Sequence, residues 1–326
     1  MSAVATSAGQ GPSPAGGINE ALEVEQLRPE AGNEAPGSKM FRGKGIRGLL
    51  WMNTAMAAFH AALFGVTLGL GNLGLSVPVY GLSNELLINE PGADGRRSWE
   101  LLPEVRQEPV MRLRLTWMTA GFFFISAFFH TGNSAFWRRL YLDGIADCRC
   151  PSRWVEYSFS ASLMSVLIGY ASGTNIMLVL VAIFFLTMTT MFFGHLTEEL
   201  ARPNQEHTAW LAPWHRRLQA HFLGYVPQIV AWALILTTFH ETASAASLPD
   251  GRGMPKFVYG IVYGELVVFW SFGLIQLVVT ALPSPRHYPY GELAYQIMSL
   301  VSKGLLGIIL IANILMLSSY ADVYNR

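Results

Sequence analysis

Residues Tyr290 to Leu317 read YGELAYQIMSLVSKGLLGIILIANILML, an apolar run long enough to cross a bilayer, with Lys303 near its middle. Its one other charged side chain, Glu292, stands at the leading edge. An ammonium group at that depth costs roughly 2.5–3.5 kcal/mol on insertion scales, so a lysine in such a position is by default functional. Two arrangements offset the cost: a carboxylate on another helix, or conversion of the amine into a Schiff base with an aldehyde. The rest of the chain should supply the partner or the pocket.

Composition points the same way. Hydrophobic residues make up 52% and charged residues 13% of the chain, and the formal net charge is zero, which describes a polytopic membrane protein rather than a soluble domain. Nucleic acid is therefore not an expected partner. Cys148 and Cys150 lie too close together to staple anything and have no zinc-site spacing around them, so they read as free thiols.

Working outward, residues 1–39 are rich in Ala, Gly, Pro, Ser and Glu and read as a disordered tail without the basic start and apolar core of a signal peptide. Six further stretches join the first to make seven spans: Gly48 to Val77, Leu115 to Trp137, Arg153 to Ala171, Asn175 to Leu196, Leu218 to Phe239 and Phe257 to Leu282, then Tyr290 to Leu317. The third is the least apolar. Its serines (Ser158, Ser160, Ser162, Ser165) suit contact with protein or a polar cavity rather than lipid. Gly65 and Gly69 in the first allow close contact between helices or protomers.

Lys39, Arg42, Lys44 and Arg47 precede the first span, and Arg138, Arg139, Arg149, Arg153, Arg202, Arg216, Arg217 and Arg286 fall on the same side of the later ones. The short loops of the other side hold few cations, so the expectation is a cytoplasmic N-terminus and an extracellular C-terminus. The fold class expected is an all-α membrane protein, a seven-transmembrane helix bundle. A membrane domain would occupy residues 40–320 and a short extracellular tail 321–326. The long first extracellular loop, residues 78–114, has room for a short β-hairpin of Val77 to Leu82 with Ser98 to Arg106, turning through Pro91, Gly92, Asp94 and Gly95. A loose polar linker reads as well from pattern alone.

Glu156 is the expected partner of Lys303, with Ser160 one turn further on the same face. It sits near the start of its span while Lys303 is deep in its own, and a third helix beginning before Arg153 would close that gap. The plainer reading is an interfacial glutamate paired with Arg153. His60 and His130 lie among apolar residues of the first two spans, where a hydrated polar cluster and satisfied core histidines both account for them. Glu265 is the remaining deep acid, a partner for backbone or hydroxyl groups or a proton acceptor. His195, Glu198 and Glu199, like His240 and Glu241, end their helices and read as interfacial.

Seven spans, a lysine within the last, and the third-span run Arg153-Trp154-Val155-Glu156-Tyr157 resemble a microbial-type rhodopsin. The sixth span reads Phe269-Trp270-Ser271-Phe272 in place of W-x-x-Y-P, and the orientation is inverted. A cytoplasmic N-terminus, the long first loop, Trp154 to Ser158 (W-x-E-Y-S) and Ser299 to Lys303 (S-x-x-x-K) resemble a heliorhodopsin over residues 46–320.

That resemblance implies all-trans retinal bound to Lys303 as a protonated Schiff base, with Glu156 as counterion. It implies a Schiff-base cavity of His60, His130, Ser299 and Ser160, and a pocket drawing on Tyr157, Met164, Trp232, Phe269, Trp270 and Phe272. It further implies a homodimer formed through the first loop and a slow, sensory photocycle read by a downstream partner, rather than an enzyme. Outward pumps of the class place acids where this chain has Ser299 and Leu167, which disfavours pumping. The alternatives are a light-gated proton channel or leak using Glu265, and a non-retinal seven-helix receptor or a metal hydrolase drawing on His195, His207, His215 and His221.

Overall fold

A computed structural model describes residues 44–90, 97–202, 217–245, 253–281, 287–318 and 322. The expected tail at residues 1–39, the turn at 91–96, His207, His215 and most of the C-terminal tail lie outside the described residues. Eight helices are described: α1 (Lys44–Leu70), α2 (Leu115–Thr131), α3 (Arg138–Ala146), α4 (Pro151–Ala171), α5 (Met177–Leu200), α6 (Gln219–Ala245), α7 (Lys256–Ala281) and α8 (Tyr288–Leu310). All but the short α3 are spans, and α1, α2, α4, α5, α6, α7 and α8 pack each on the next, with α8 closing against α1.

Five of these are long and apolar enough to cross a membrane on length and hydropathy alone. The other two fall short for physical reasons. α2 is interrupted after Thr131 by a π-helical turn, Gly132–Phe136, which completes its length. α4 carries Arg153, Glu156 and its serines, and it is buried on nearly every side at the centre of the bundle. Ser158 and Ser162 donate to the carbonyls of Trp154 and Ser158, both at 2.7 Å, which satisfies hydroxyls that no water reaches. Large apolar side chains such as Phe124, Phe128, Phe185 and Val267 face outward, as a lipid-facing belt requires.

The first span is shorter than the pattern predicts. α1 ends at Leu70, and Val77, placed in that span by hydropathy, belongs to a strand. Asn72 stops the helix: its N–H donates to the Leu315 carbonyl at 2.7 Å and its side-chain amide to that of Leu317 at 3.0 Å, tying the turn to the end of the last span. Among the described residues, a Cβ added at Gly65 or Gly69 would meet no atom within 4 Å.

The first loop is a ribbon of two antiparallel pairs, β1 (Ser76–Val79) with β4 (Met111–Arg114) and β2 (Leu82–Ile88) with β3 (Trp99–Val105). The hairpin is present, but its first strand begins where the pattern had it end. The register Leu82↔Val105, Leu86↔Leu101 and Ile88↔Trp99 puts these six apolar side chains on one face with Asn84, and leaves Ser83, Glu85, Glu100 and Glu104 on the other with Leu87 and Leu102. α3 lies between the second and third expected spans, where hydropathy marks no element. It folds back so that Tyr141 and Ile145 pack with Leu49, Cys148, Cys150 and Tyr288. Both cysteines are free and buried. Burial, with the carboxylates of Asp147 and Glu198 nearby, pushes the Cys148 thiol up to about 12, so it is a poor nucleophile.

Candidate functional site

The depth gap between Glu156 and Lys303 closes because α4 begins at Pro151, two residues before Arg153. Proline suits that first turn, where its missing N–H would have no partner. Lys303 Nζ donates to Glu156 Oε1 at 2.9 Å and to Ser299 Oγ, one turn back on α8, at 2.7 Å. The Tyr157 ring centroid lies 4.9 Å from the same nitrogen, adding a cation–π contact. All four residues are buried, so the ammonium is satisfied without water.

Two histidines stand behind Glu156. His130 Nε2 is 3.9 Å from Glu156 Oε2, and the rings of His60 and His130 stack with centroids 5.7 Å apart. His60 Nδ1 meets the Met56 carbonyl at 2.7 Å, which can only accept, so that nitrogen carries a hydrogen. His130 Nδ1 meets Asn53 Oδ1 at 2.9 Å. Among the described residues neither Nε2 has a hydrogen-bond partner. Ser126 stands near the Glu156 carboxyl without a hydrogen bond to it, and sequence pattern does not mark it, because one serine among the phenylalanines of α2 carries no periodicity. Ser160 is buried with its hydroxyl unpartnered and bonds neither Lys303 nor Glu156.

Arg153 does not pair with Glu156. It bridges Glu198 of α5 and Glu292 of α8, with its guanidinium 3.9 Å from the Tyr295 ring centroid. Tyr288 and Trp154 donate to Glu198 at 2.9 and 2.6 Å. Glu198 and Glu292, which chain position marks as interfacial, are therefore buried members of an ionic cluster. Glu265 is fully buried and accepts from Ser302 at 2.6 Å. His240 meets Tyr263 in an exposed contact at 3.4 Å, as an interfacial residue should.

A cavity between α4, α5, α6, α7 and α8 holds about 780 Å³ of space free of protein atoms, part of it open to the outside. Tyr157, Met164, Phe269, Trp270 and Phe272 line it, together with Ser299 and Lys303. Trp232 does not; it stands behind Phe269 in an edge contact at 5.5 Å. Gly194 lets the Trp154 ring lie flat on α5, since a Cβ there would come within 2.2 Å of that ring. An apolar, aromatic-walled slot with one primary amine in its wall fits a long hydrocarbon aldehyde.

Among the described residues no group of three His, Cys, Asp or Glu side chains stands close enough to hold a metal. His221, one of the proposed hydrolase ligands, instead meets Gln276 at 3.1 Å.

The heliorhodopsin family model matches residues 49–315. No curated protein sequence matches the chain. Among solved structures, cyanorhodopsin from the cyanobacterium Tolypothrix sp. NIES-4075 superposes with a TM-score of 0.51 at 11% identity, covering 83% of this chain and 94% of that one. The light-driven proton pump LR (Mac) from Leptosphaeria maculans gives a TM-score of 0.42 at 10% identity, covering 86% and 94%.

Proposed function

The chain belongs to the heliorhodopsin family, and from that premise we propose that it is a light sensor in which Lys303 carries all-trans retinal as a protonated Schiff base with Glu156 as counterion. The observation that supports this most directly is the buried Lys303 nitrogen, held by Glu156 and Ser299 in the wall of an aromatic cavity. Bound there, retinal would supply absorption of visible light and a bond isomerisation that reorients the N–H. The chain supplies the rest. Glu156 stabilises the positive charge on the Lys303 nitrogen, Ser299 fixes its direction, and burial of all three side chains keeps bulk water from the pair. The free Nε2 atoms of His130 and His60 are places where a proton leaving that nitrogen can rest, and a slow return leaves an altered state for a partner to read.

A sensor, as opposed to a pump, keeps that proton inside. Ser299 and the buried, apolar Leu167 occupy the places where pumps of the class carry acids. The runner-up is a light-gated proton leak through Glu265, favoured by its complete burial and by its bond to Ser302, which neighbours Lys303 in sequence. Whole-cell recording separates the two: illumination should give no sustained current. A sustained photocurrent abolished by Glu265→Gln establishes the leak instead.

The orientation that goes with this reading is N-terminus inside, from the Lys and Arg asymmetry of the short loops. We also place a homodimer contact on the ribbon. Leu82, Leu86, Ile88, Trp99, Leu101 and Val105 form its outward apolar face, which a second copy would cover. Leu86→Glu with Leu101→Glu, a register pair, should convert dimer to monomer in mass photometry of nanodisc-reconstituted protein. A dimer fraction unchanged by the pair of charges removes the ribbon from the interface.

A further inference from the structure

Asn53 of α1 joins two buried polar clusters. On one side stand His130 of α2 with Glu156 of α4 and His60 of α1. On the other, Tyr141 of α3 donates to Glu292 of α8 at 3.4 Å, and Glu292 with Glu198 of α5 holds Arg153 of α4. Asn53 is completely buried, and its bonds fix which way its amide points. Nδ2 donates to the Leu49 carbonyl at 2.9 Å, a partner that can only accept, and to Tyr141 Oη at 3.1 Å. Oδ1 therefore faces α2, where it accepts from Asn133 Nδ2 at 3.4 Å and from His130 Nδ1 at 2.9 Å. Tyr141 Oη already accepts from Asn53 and from Gln296 at 3.2 Å, so its own hydrogen goes to Glu292.

The hydrogen bonds run unbroken from His130 through Asn53 and Tyr141 to Glu292, but a proton cannot follow them. To relay one, the amide would have to accept the His130 proton on Oδ1 and release another from Nδ2, passing through an imidic acid. A carboxylate would do the same at little cost. We propose that Asn53 is a proton barrier: it couples the Lys303–Glu156–His130 site mechanically to the Arg153–Glu198–Glu292 cluster while preventing a proton from crossing between them. This rests on Lys303 and Glu156 forming the light-driven proton site. The cluster beyond the barrier has one cation between two carboxylates, a formal charge of −1, and so has capacity for a proton that the native chain withholds from it.

The barrier can be opened with nearly the same shape. In Asn53→Asp the new carboxylate accepts the proton from His130 Nδ1, leaving that ring neutral. The resulting acid turns its protonated oxygen from His130 to Tyr141 and passes the proton to Tyr141 Oη as the Tyr141 proton moves to Glu292. Each transfer is proton for proton, with no change in oxidation state.

The test uses the full-length, retinal-bound protein in liposomes. Light-induced proton displacement, read by a pH-sensitive dye, should rise about tenfold or more in Asn53→Asp, positioned proton-transfer groups acting on a scale of ~10²–10⁴. It should return to the native level in Asn53→Asp with Tyr141→Phe. An Asn53→Asp protein with an intact visible band and no gain, or a gain that survives Tyr141→Phe, overturns the proposal. A second readout covers an Asp variant that fails to fold. Light-minus-dark infrared spectra of the native pigment should show no carboxyl band that disappears in Glu292→Gln, and finding such a band also overturns the barrier. A native chain that forms no visible band with retinal refutes the pigment reading itself, a different result from either.

Discussion

Lys303→Ala is expected to abolish the visible absorption band completely when retinal is added, while the native chain forms one. No other lysine is available to replace it in the cavity: Lys303 is the one lysine among its lining residues, and its nitrogen is already desolvated and directed by Glu156 and Ser299. A colourless variant could also mean a misfolded one, because deleting one member of a buried ion pair leaves the other uncompensated, typically at a cost of about 3–5 kcal/mol. The control is Lys303→Ala combined with Glu156→Gln, which removes both charges and should recover most of the helical circular dichroism and thermal midpoint yet remain colourless. A visible band persisting in either variant places the chromophore elsewhere. A native chain that stays colourless points to the non-retinal receptor or enzyme.

Arg153→Met is the second large effect, and it does not depend on any chromophore. Arg153 is buried between Glu198 and Glu292, with its guanidinium over the Trp154 and Tyr295 rings. Methionine leaves two carboxylates facing each other in a dry site, so the expected loss is about 3–5 kcal/mol, measured by equilibrium unfolding in mixed detergent micelles. Adding Glu198→Gln and Glu292→Gln should restore most of that loss, since neutral amides can hydrogen-bond to Tyr288, Trp154 and Gln296 without charge. If the single variant is as stable as the native protein, the three-residue ionic cluster is not holding α4, α5 and α8 together.

Several parts of this molecule were legible before any coordinates. Hydropathy over a window the length of a bilayer marks the spans, because apolar backbone in lipid has few options besides a helix. Lys303 stands out for the same reason, as the one ammonium placed where insertion is costly. The serines of α4 signalled a helix with little lipid contact, and it proved to be the central one. Where the reading missed, the cause is geometric. Glu198 and Glu292 sit near helix ends, and chain position alone cannot tell an end that reaches water from one roofed by α3 and the Cys148–Cys150 loop. Asn53 has no periodic signature at all, and its role comes from partners 77 and 88 residues away.

The linear pattern thus determined a membrane-spanning helical bundle, its number of spans and the one lysine buried within the last of them, since each follows from the transfer energy of side chains over a local stretch. Only the tertiary structure decided that Glu156 meets that lysine and not Arg153, which two carboxylates surround Arg153, and that Asn53 links the two sites. Those outcomes depend on where each helix begins and which face it turns inward, to within the few ångströms over which a hydrogen bond exists.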